Sequence, residues 1–165
     1  MRESAAAVAL IRRQENGQST WLAQWNSKWQ RYHFVGGHRQ EPETFRDCLV
    51  RELVEELGLH ELSDVVVAEQ PRQRLEFVAW SESSHQQTRY TFELFEVEFA
   101  GESVIRKVDA NPQNRWVSEA EMRQGGASDG RLISPTMFLV MSQAKLAADT
   151  GGDSGSSQNQ QYYSR

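Results

Sequence analysis

Three glutamate side chains, Glu52, Glu55 and Glu56, fall within five residues of a predicted helix. Residues three and four apart lie on the same side of an α-helix, so Glu52 faces both of the others, and each like-charge pair costs roughly 0.2–0.5 kcal/mol. Gly58 then indicates the end of the helix, where the helix dipole already carries partial negative charge. The spacing therefore places three carboxylates where they destabilise the helix. A chemical role explains this arrangement better than a contribution to stability does.

A divalent cation would relieve this repulsion. Clustered carboxylates supply the hard oxygen ligands that Mg²⁺ or Mn²⁺ prefers, and waters and substrate phosphates complete the coordination. Such an ion polarises phosphorus and stabilises developing charge, while a carboxylate activates a water. The glutamates therefore predict a Mg²⁺ or Mn²⁺ site that acts on a diphosphate. An ordinary solvated acidic surface is the alternative, but the predicted helix contains no lysine to balance it.

Negative charge is concentrated around the same residues. Residues 41–61 contain seven acidic and two basic side chains, which is equal to the whole formal net charge of −5. A protein that coats nucleic acid would usually show a basic surface instead. The charge distribution therefore argues against that class of function and for a localised acidic site.

The rest of the chain predicts a single mixed α/β domain. Strands are predicted at residues 5–13, 19–26, 32–35, 65–68, 75–80, 88–99 and 115–117. Helices are predicted at residues 44–57, after a capping box at Ser118, and from Ser134 onward. Strict βαβ alternation is missing, so the pattern favours a mixed sheet covered by helices.

Cysteine content and hydropathy indicate a cytoplasmic protein. The single cysteine, Cys48, excludes an internal disulfide and fits a reducing compartment. The apolar residues 5–11 are too few to span a membrane and are followed by Arg12 and Arg13 rather than a cleavage site. These residues are better interpreted as a buried first strand.

The residues around the three glutamates form a motif that matches a known family. Residues 37–59 follow the pattern G-x5-E-x7-R-E-L-x-E-E-x-G-L. Its defined positions are Gly37, Glu43, Arg51, Glu52, Leu53, Glu55, Glu56, Gly58 and Leu59. The segment resembles the complete Nudix box of the Nudix hydrolases, a MutT-like family.

The resemblance implies a fold and an activity. The fold is an α/β/α sandwich with a mixed β-sheet, in which the box forms a loop–helix–loop and the domain covers residues 1–148. The activity is hydrolysis of a nucleoside diphosphate linked to a moiety X, with Mg²⁺ or Mn²⁺ as cofactor. The expected partner is a nucleotide-diphosphate small molecule. No membrane and no stable nucleic-acid partner is expected, and a homodimer is compatible with this interpretation.

The resemblance also implies roles for individual residues. The implied metal ligands are Glu52, Glu55, Glu56 and the backbone carbonyl of Gly36. The family uses the position of Glu52 either as a metal ligand or as the general base. Arg51 would orient the glutamates through a salt bridge, so the catalytic set is Glu52, Arg51 and Glu55. Glu43 would hold the loop–helix geometry.

Further candidates lie outside the helix. Arg31, His38 and Arg39 flank the two glycines and are candidates for phosphate contacts, while Trp29 is a candidate for stacking on a base. Surface groups without a role are the alternative for each of them. Many family members place an additional carboxylate on or after the long strand, where this chain has Glu93, Glu96, Glu98 and Glu102. Glu96 and Glu98 are the favoured candidates, because the other flank of the strand is predicted to be core, and an exposed strand acid without a role is the alternative for each.

Two other functions are compatible with a fold of this type. A catalytically weak nucleotide-binding or sensor module would usually lose box glutamates, and this chain keeps all of them. An isopentenyl diphosphate isomerase needs a cysteine outside the box, whereas Cys48 lies inside it. Residues downstream of the box match no marker for a particular X, so a nucleoside triphosphate or a nucleotide sugar is the default substrate.

Composition separates a C-terminal tail from the domain. Residues 149–165 are rich in Gly, Ser and Gln, and only Tyr162 and Tyr163 could be buried, which predicts a flexible tail. Deleting residues 149–165 should therefore leave the melting temperature nearly unchanged, measured by circular dichroism against the full chain. A large drop would instead show that the tail packs on the domain.

Overall fold

The computed structural model describes residues 1–60, 63–81 and 83–149 of the 165-residue chain. Its elements, in chain order, are β1 (Arg2–Leu10), β2 (Arg12–Glu15), β3 (Gln18–Asn26), β4 (Arg31–Phe34), β5 (Gly36–His38), α1 (Phe45–Leu57), β6 (Val65–Val67), β7 (Gln73–Ser81), β8 (Gln86–Phe99), α2 (Glu102–Asp109), β9 (Asn114–Ser118), α3 (Glu119–Gln124) and α4 (Pro135–Asp149). No helix in these ranges is long and apolar enough to cross a membrane. The predicted tail, apart from Asp149, lies outside the described residues.

Two sheets form the middle layer of the fold. The first has five strands: β1 pairs with β5 on one side and with β8 on the other, and β8 also pairs with β6 and β7. The β1–β8 pair is parallel and the other pairs are antiparallel, so this sheet is mixed as predicted. In the second sheet β3 pairs antiparallel with β2, β4 and β9.

Helices cover both faces of this layer. Ala7 and Ala9 of β1 belong to a buried cluster with α1 and α2, whereas Val8 and Leu10 belong to a second buried cluster with α3 and α4. Because side chains alternate along a strand, a strand buried on both faces has an unbroken apolar sequence. This explains the apolar run at residues 5–11 and confirms the predicted α/β/α sandwich.

The first predicted strand, residues 5–13, is wrong in one respect. The chain leaves the first sheet at Ile11, which is buried, and the Ile11 carbonyl accepts a hydrogen bond of 3.0 Å from the Leu22 amide. The next residues, Arg12–Glu15, pair with β3 in the second sheet. Both sheets contribute side chains to each of the two buried clusters, so the hydrophobic pattern continues through the point where the chain changes sheets.

Helix α2 was not predicted. It buries only Val104 and Val108, which are four residues apart and face the α1 cluster. Two buried residues in an eight-residue helix give a short periodic signal, and a glycine without a capping side chain precedes it. Only packing against α1 and the first sheet distinguishes this segment from a loop.

Helix α1 begins and ends where the sequence predicts. The Thr44 side chain accepts a hydrogen bond of 3.1 Å from the Asp47 amide, which caps the first turn. At the other end Gly58 has φ 64° and ψ 36°, a left-handed conformation that glycine adopts without strain. These two local signals set the length of the helix that carries the glutamates.

The buried side of α1 should account for much of the stability of the domain. Leu53 is completely buried, so Leu53→Ala should lower the free energy of unfolding by about 2–5 kcal/mol through lost contacts and a residual cavity. Val66 on β6 is 62% exposed, and Val66→Ala should change the same quantity by no more than about 0.5 kcal/mol. Urea titration measures both; equal effects would contradict this assignment of the core.

Candidate active site

The Arg51 guanidinium is the centre of a hydrogen-bonded cluster on α1. It donates two bonds to the Glu43 carboxylate, from Nη2 to Oε1 at 2.8 Å and from Nε to Oε2 at 3.1 Å. Its Nη1 donates to Glu52 Oε1 at 2.8 Å and lies 3.5 Å from Glu55 Oε2. Nη2 also donates to the backbone carbonyl of His38 at 3.2 Å. One side chain therefore connects the loop before α1, the helix and strand β5.

This cluster changes the acidity of its members. Hydrogen bonds from Arg51 lower the pKa of Glu43 from 4.5 to about 2, helped by the Gln40 amide. The same bonds raise the pKa of Arg51, so this guanidinium stays charged. Glu52 behaves differently: burial, together with the nearby charges of Glu55 and Glu56, raises its pKa despite the hydrogen bond from Arg51. Two carboxylates that share one cation are thus placed in different environments.

Gly37 allows Glu52 to lie directly against the backbone of β5. A Cβ atom at residue 37 would lie 2.1 Å from Glu52 Oε1 and 2.2 Å from its carboxyl carbon. Any other residue would therefore displace the carboxylate. Nearby, the Cys48 thiol donates a weak hydrogen bond of 3.4 Å to the Gly37 carbonyl, and burial raises its pKa to about 11. Cys48 is a buried packing residue, and the glycine positions Glu52.

The outer edge of β5 presents backbone carbonyls to the cluster. The Ala9 amide donates to the Val35 carbonyl and the Arg39 amide donates to the Ala5 carbonyl, each within 2.9 Å. Alternate residues of an edge strand direct their polar groups toward the partner and away from it. The carbonyls of Gly36 and His38 therefore point away from β1, which agrees with the bond from Arg51 to His38.

The three glutamates differ in how they are held. The Glu52 side chain is 12% exposed and the Glu55 side chain 59%, although both contact Arg51. Glu56 is exposed, and its carboxylate has no hydrogen bond or ion pair within the described residues. In the same part of the chain, no three His, Cys, Asp or Glu side chains already converge as metal ligands. Glu52 and Glu55 instead contact Arg51, and Glu56 is the next residue of the same helix.

Two distant residues contact the end of α1. Gln24 Nε2 donates a hydrogen bond of 3.1 Å to the Glu56 carbonyl, and Lys107 Nζ donates to the Gly58 carbonyl. The last carbonyls of a helix have no partner within the helix, and a cation near them is favourable. The last turn of α1 contains no basic residue, so Lys107 supplies this charge from α2. Sequence spacing alone did not indicate either contact.

Comparison with known proteins identifies the family. The family model described as NUDIX domain matches residues 2–136. The chain belongs to the Nudix family. This match confirms the predicted resemblance, and the prediction that the chain is a Nudix hydrolase is confirmed with it. A search of curated proteins gives no match.

Several solved structures share the fold. A Nudix hydrolase from M. smegmatis, RenU, is 17% identical with a TM-score of 0.54, and the match covers 88% of this chain and 86% of that one. The C. elegans Ap4A hydrolase is 14% identical with a TM-score of 0.56, over 88% and 98%. Shewanella oneidensis NrtR, solved with a 27mer DNA, is 11% identical with a TM-score of 0.58, over 87% and 61%. At these identities the likeness concerns the fold alone.

The predicted substrate-binding residues of this Nudix domain lie at two places. His38 follows the two glycines on β5, and its Nδ1 lies 3.0 Å from Ser4 Oγ. Arg39 is the next residue, with its guanidinium 5.1 Å from the centre of the Phe45 ring. Trp29, which is 49% exposed, lies instead in the turn between β3 and β4, and Arg31 is the first residue of β4. Their roles in binding stay predictions.

Glu96 and Glu98 lie on the other face of β8 from the Nudix helix α1. Their neighbours Phe95 and Val97 pack in the α1 cluster, so the alternating glutamates face the α4 side. Glu96 pairs with Arg72, and both glutamates line a cleft of about 920 Å³ together with residues of α3 and α4. The structure therefore does not bring them together with Glu52, and a ligand role for them stays a prediction.

An aromatic group on the same α4 side lies nearer to the glycines of the Nudix box. His38 pairs with Ala6, and Ala6 pairs with Phe92, so these three residues share one face of the first sheet. The Tyr90 ring stacks on Phe77 with centroids 5.3 Å apart, and Phe92 contacts both rings. All three rings are partly exposed. Alternation along β8 was the signal that could have identified this surface.

The Glu43–Arg51 pair should make stability depend on acid. Because the folded-state pKa of Glu43 lies near 2 and the usual value is 4.5, the pair stabilises the fold above pH 4.5. This contribution is lost as the pH falls from 4.5 toward 2. The loss of stability between pH 6 and pH 3, measured by urea titration, should therefore be smaller in Glu43→Gln than in the wild type.

Glu41→Gln is the matched control for this measurement. Glu41 belongs to the same loop but its side chain is 77% exposed and contacts Arg39 rather than Arg51. This variant should keep the wild-type loss of stability in acid. An identical response of the two variants would contradict the special role of the Glu43–Arg51 pair.

Proposed function

We propose that the protein is a divalent-metal-dependent pyrophosphohydrolase that cleaves a nucleoside diphosphate linked to a moiety X. The observation that carries this proposal is the Arg51 cluster, which holds Glu52 and Glu55 beside Glu56 at the outer edge of β5. Arg51 is bound to Glu43 by two hydrogen bonds, so its position is well defined. A purely structural acidic surface would not need this arrangement.

The residues fit Mg²⁺ or Mn²⁺. The donors are carboxylate oxygens of Glu52, Glu55 and Glu56 and the outward carbonyl of Gly36, all hard oxygen ligands. Gly37 supplies the space in which the Glu52 carboxylate lies, since a Cβ there would occupy it. When bound, the ion would polarise the phosphoryl oxygens and neutralise charge on the diphosphate.

The side chains of the cluster then have separate tasks. Arg51 orients Glu52 and limits its rotation through the 2.8 Å bond to Oε1. A glutamate of this set, Glu52 or Glu55, accepts a proton from the water that attacks phosphorus. Glu43 holds Arg51 and, through its bond of 2.8 Å from the Gln40 amide, the loop that enters α1. Hydrolysis therefore depends on the geometry of one loop, one helix and one strand.

The group attached to the diphosphate would lie beside this cluster. The face that carries His38, Tyr90 and Phe92 starts at β5, which also supplies the Gly36 carbonyl. Partly exposed aromatic rings stack on planar groups such as a nucleobase. Arg39 follows His38 directly and supplies a cation for phosphate. Trp29, in the turn between β3 and β4, and Arg31, at the start of β4, are candidates for a second contact surface.

Glu56→Gln tests the proposed site. Loss of a residue that only supports a metal ligand typically costs about 10- to 100-fold. Loss of the Glu56 carboxylate should reduce metal-dependent turnover by more than that. Its melting temperature should stay close to that of the wild type, because Glu56 is exposed. Glu15→Gln, an exposed carboxylate that pairs with Arg13 at 3.1 Å, is the control and should keep full turnover. Near-normal turnover in Glu56→Gln would overturn the assigned site.

A substrate screen identifies X and separates a hydrolase from a sensor. Nucleoside triphosphates, nucleotide sugars and Ap4A are incubated with Mg²⁺ or Mn²⁺, and released phosphate, pyrophosphate or nucleotide is measured. Ap4A is included because one structure of similar fold is an Ap4A hydrolase. Turnover that requires the metal supports the proposal. Metal binding without turnover of any substrate would favour the nucleotide-binding module.

A further inference from the structure

A buried amide lies under the last turn of the helix that carries the glutamates. Gln24 on β3 is only 5% exposed. Its Nε2 donates one hydrogen bond to the Glu56 carbonyl at 3.1 Å and one to Asn114 Oδ1 at 3.0 Å. Both amide hydrogens are therefore used. Its neighbour on the same face of the strand, Leu22, is part of the apolar core, so a polar residue at position 24 is unexpected there.

The contact is one end of a chain of hydrogen bonds across the fold. Asn114, the first residue of β9, accepts from Gln24 and donates from Nδ2 to the Val108 carbonyl at 3.0 Å. The Glu56 carbonyl is among the last four of α1, which have no partner within the helix. The end of α1 is thus connected through β3 and β9 to α2, rather than only packed against apolar side chains.

We propose that Gln24 is a positioning residue that determines where Glu56 presents its carboxylate to the metal, an inference that rests on the proposed function. The Glu52 and Glu55 carboxylates are oriented through Arg51, at 2.8 and 3.5 Å. The Glu56 carboxylate has no such partner within residues 1–60, 63–81 and 83–149. Its position is therefore set by its own backbone, and Gln24 holds that backbone at the carbonyl.

A residue that only stabilises the helix provides a comparison. Arg46 connects the first part of α1 to the end of β6, with Nε donating to the Ala68 carbonyl at 3.2 Å and Nη2 to the Val67 carbonyl at 3.1 Å. Like Gln24, it donates two hydrogen bonds and ties α1 to a sheet, but it does so at the opposite end of the helix from Glu56. Comparing the two residues therefore distinguishes an effect on the stability of the helix from an effect on the position of the metal ligand.

The test compares Gln24→Met with Arg46→Met in the full chain. Methionine keeps the length of Gln24 but cannot donate to the Glu56 carbonyl. Mn²⁺ affinity is measured from the electron paramagnetic resonance signal of free Mn²⁺ without substrate, and the melting temperature is measured in parallel. Loss of an outer contact to a metal ligand typically weakens binding about 10- to 100-fold, and Gln24→Met should show about 10-fold. Arg46→Met should lower the melting temperature and leave Mn²⁺ affinity unchanged.

The outcomes distinguish this inference from the proposed function. Wild-type Mn²⁺ affinity in a folded Gln24→Met, or equal weakening in Arg46→Met, would overturn the positioning role. If Gln24→Met does not fold, Asn114→Ala replaces it, and weaker Mn²⁺ binding supports the role while wild-type affinity refutes it. If Glu56→Gln binds Mn²⁺ as the wild type does, the metal site itself is wrong. Loss of binding in Glu56→Gln alone leaves the site correct and rejects only the role of Gln24.

Discussion

The Arg51 guanidinium holds together a loop, a helix and an edge strand, and it offsets the repulsion between their carboxylates. Its planar group presents several donors in a fixed arrangement, and three carboxylates and one backbone carbonyl lie within reach of them. Glu43 belongs to the loop before the helix, Glu52 and Glu55 belong to the helix, and His38 belongs to the edge strand. A lysine could not hold this geometry, because its ammonium group makes no bidentate bond to a carboxylate. The relative position of loop, helix and strand, and therefore of the acidic site, depends on this one cation.

The concentration of negative charge at the end of α1 is compensated from outside the helix. The helix itself has no basic residue in its last turn. Lys107 from α2 and the amide of Gln24 from β3 satisfy the carbonyls of Gly58 and Glu56 instead. Of the basic residues of α1, Arg51 is the one that contacts Glu52 and Glu55. Carboxylates that repel one another in this way are well suited to bind a divalent ion, because a bound ion offsets their repulsion.

Strand β5 is the border between two kinds of surface. On the α1 side, Gly37 lets the Glu52 carboxylate touch the backbone. On the α4 side, His38 begins a row that continues through Ala6 to Phe92. At its free edge, the carbonyls of Gly36 and His38 point outward. Oxygen ligands that suit a divalent cation and a face that leads to partly exposed aromatic rings therefore meet at a strand of only three residues.

The sequence by itself determined the features that depend on short-range chemistry. The ends of α1 follow from Thr44 and Gly58, whose capping and left-handed conformations are local properties. The spacing of the glutamates and Arg51 follows from helical periodicity, and their match to the Nudix box identified the family. The burial of β1 on both faces followed from its unbroken apolar run.

Only the tertiary structure decided which distant groups meet. Alternation along β8 shows that Glu96 and Glu98 share a face, but not that α1 covers the opposite one. The change of sheet at Ile11 is hidden in the sequence because both sheets contribute to the same two buried clusters. Gln24 and Lys107 reach the end of α1 across 32 and 49 residues of sequence, and Asn114 binds Gln24 across 90. Periodicity and capping depend on residues that are close along the chain. The partners of a helix end depend on how the whole fold packs, so they do not follow from local sequence.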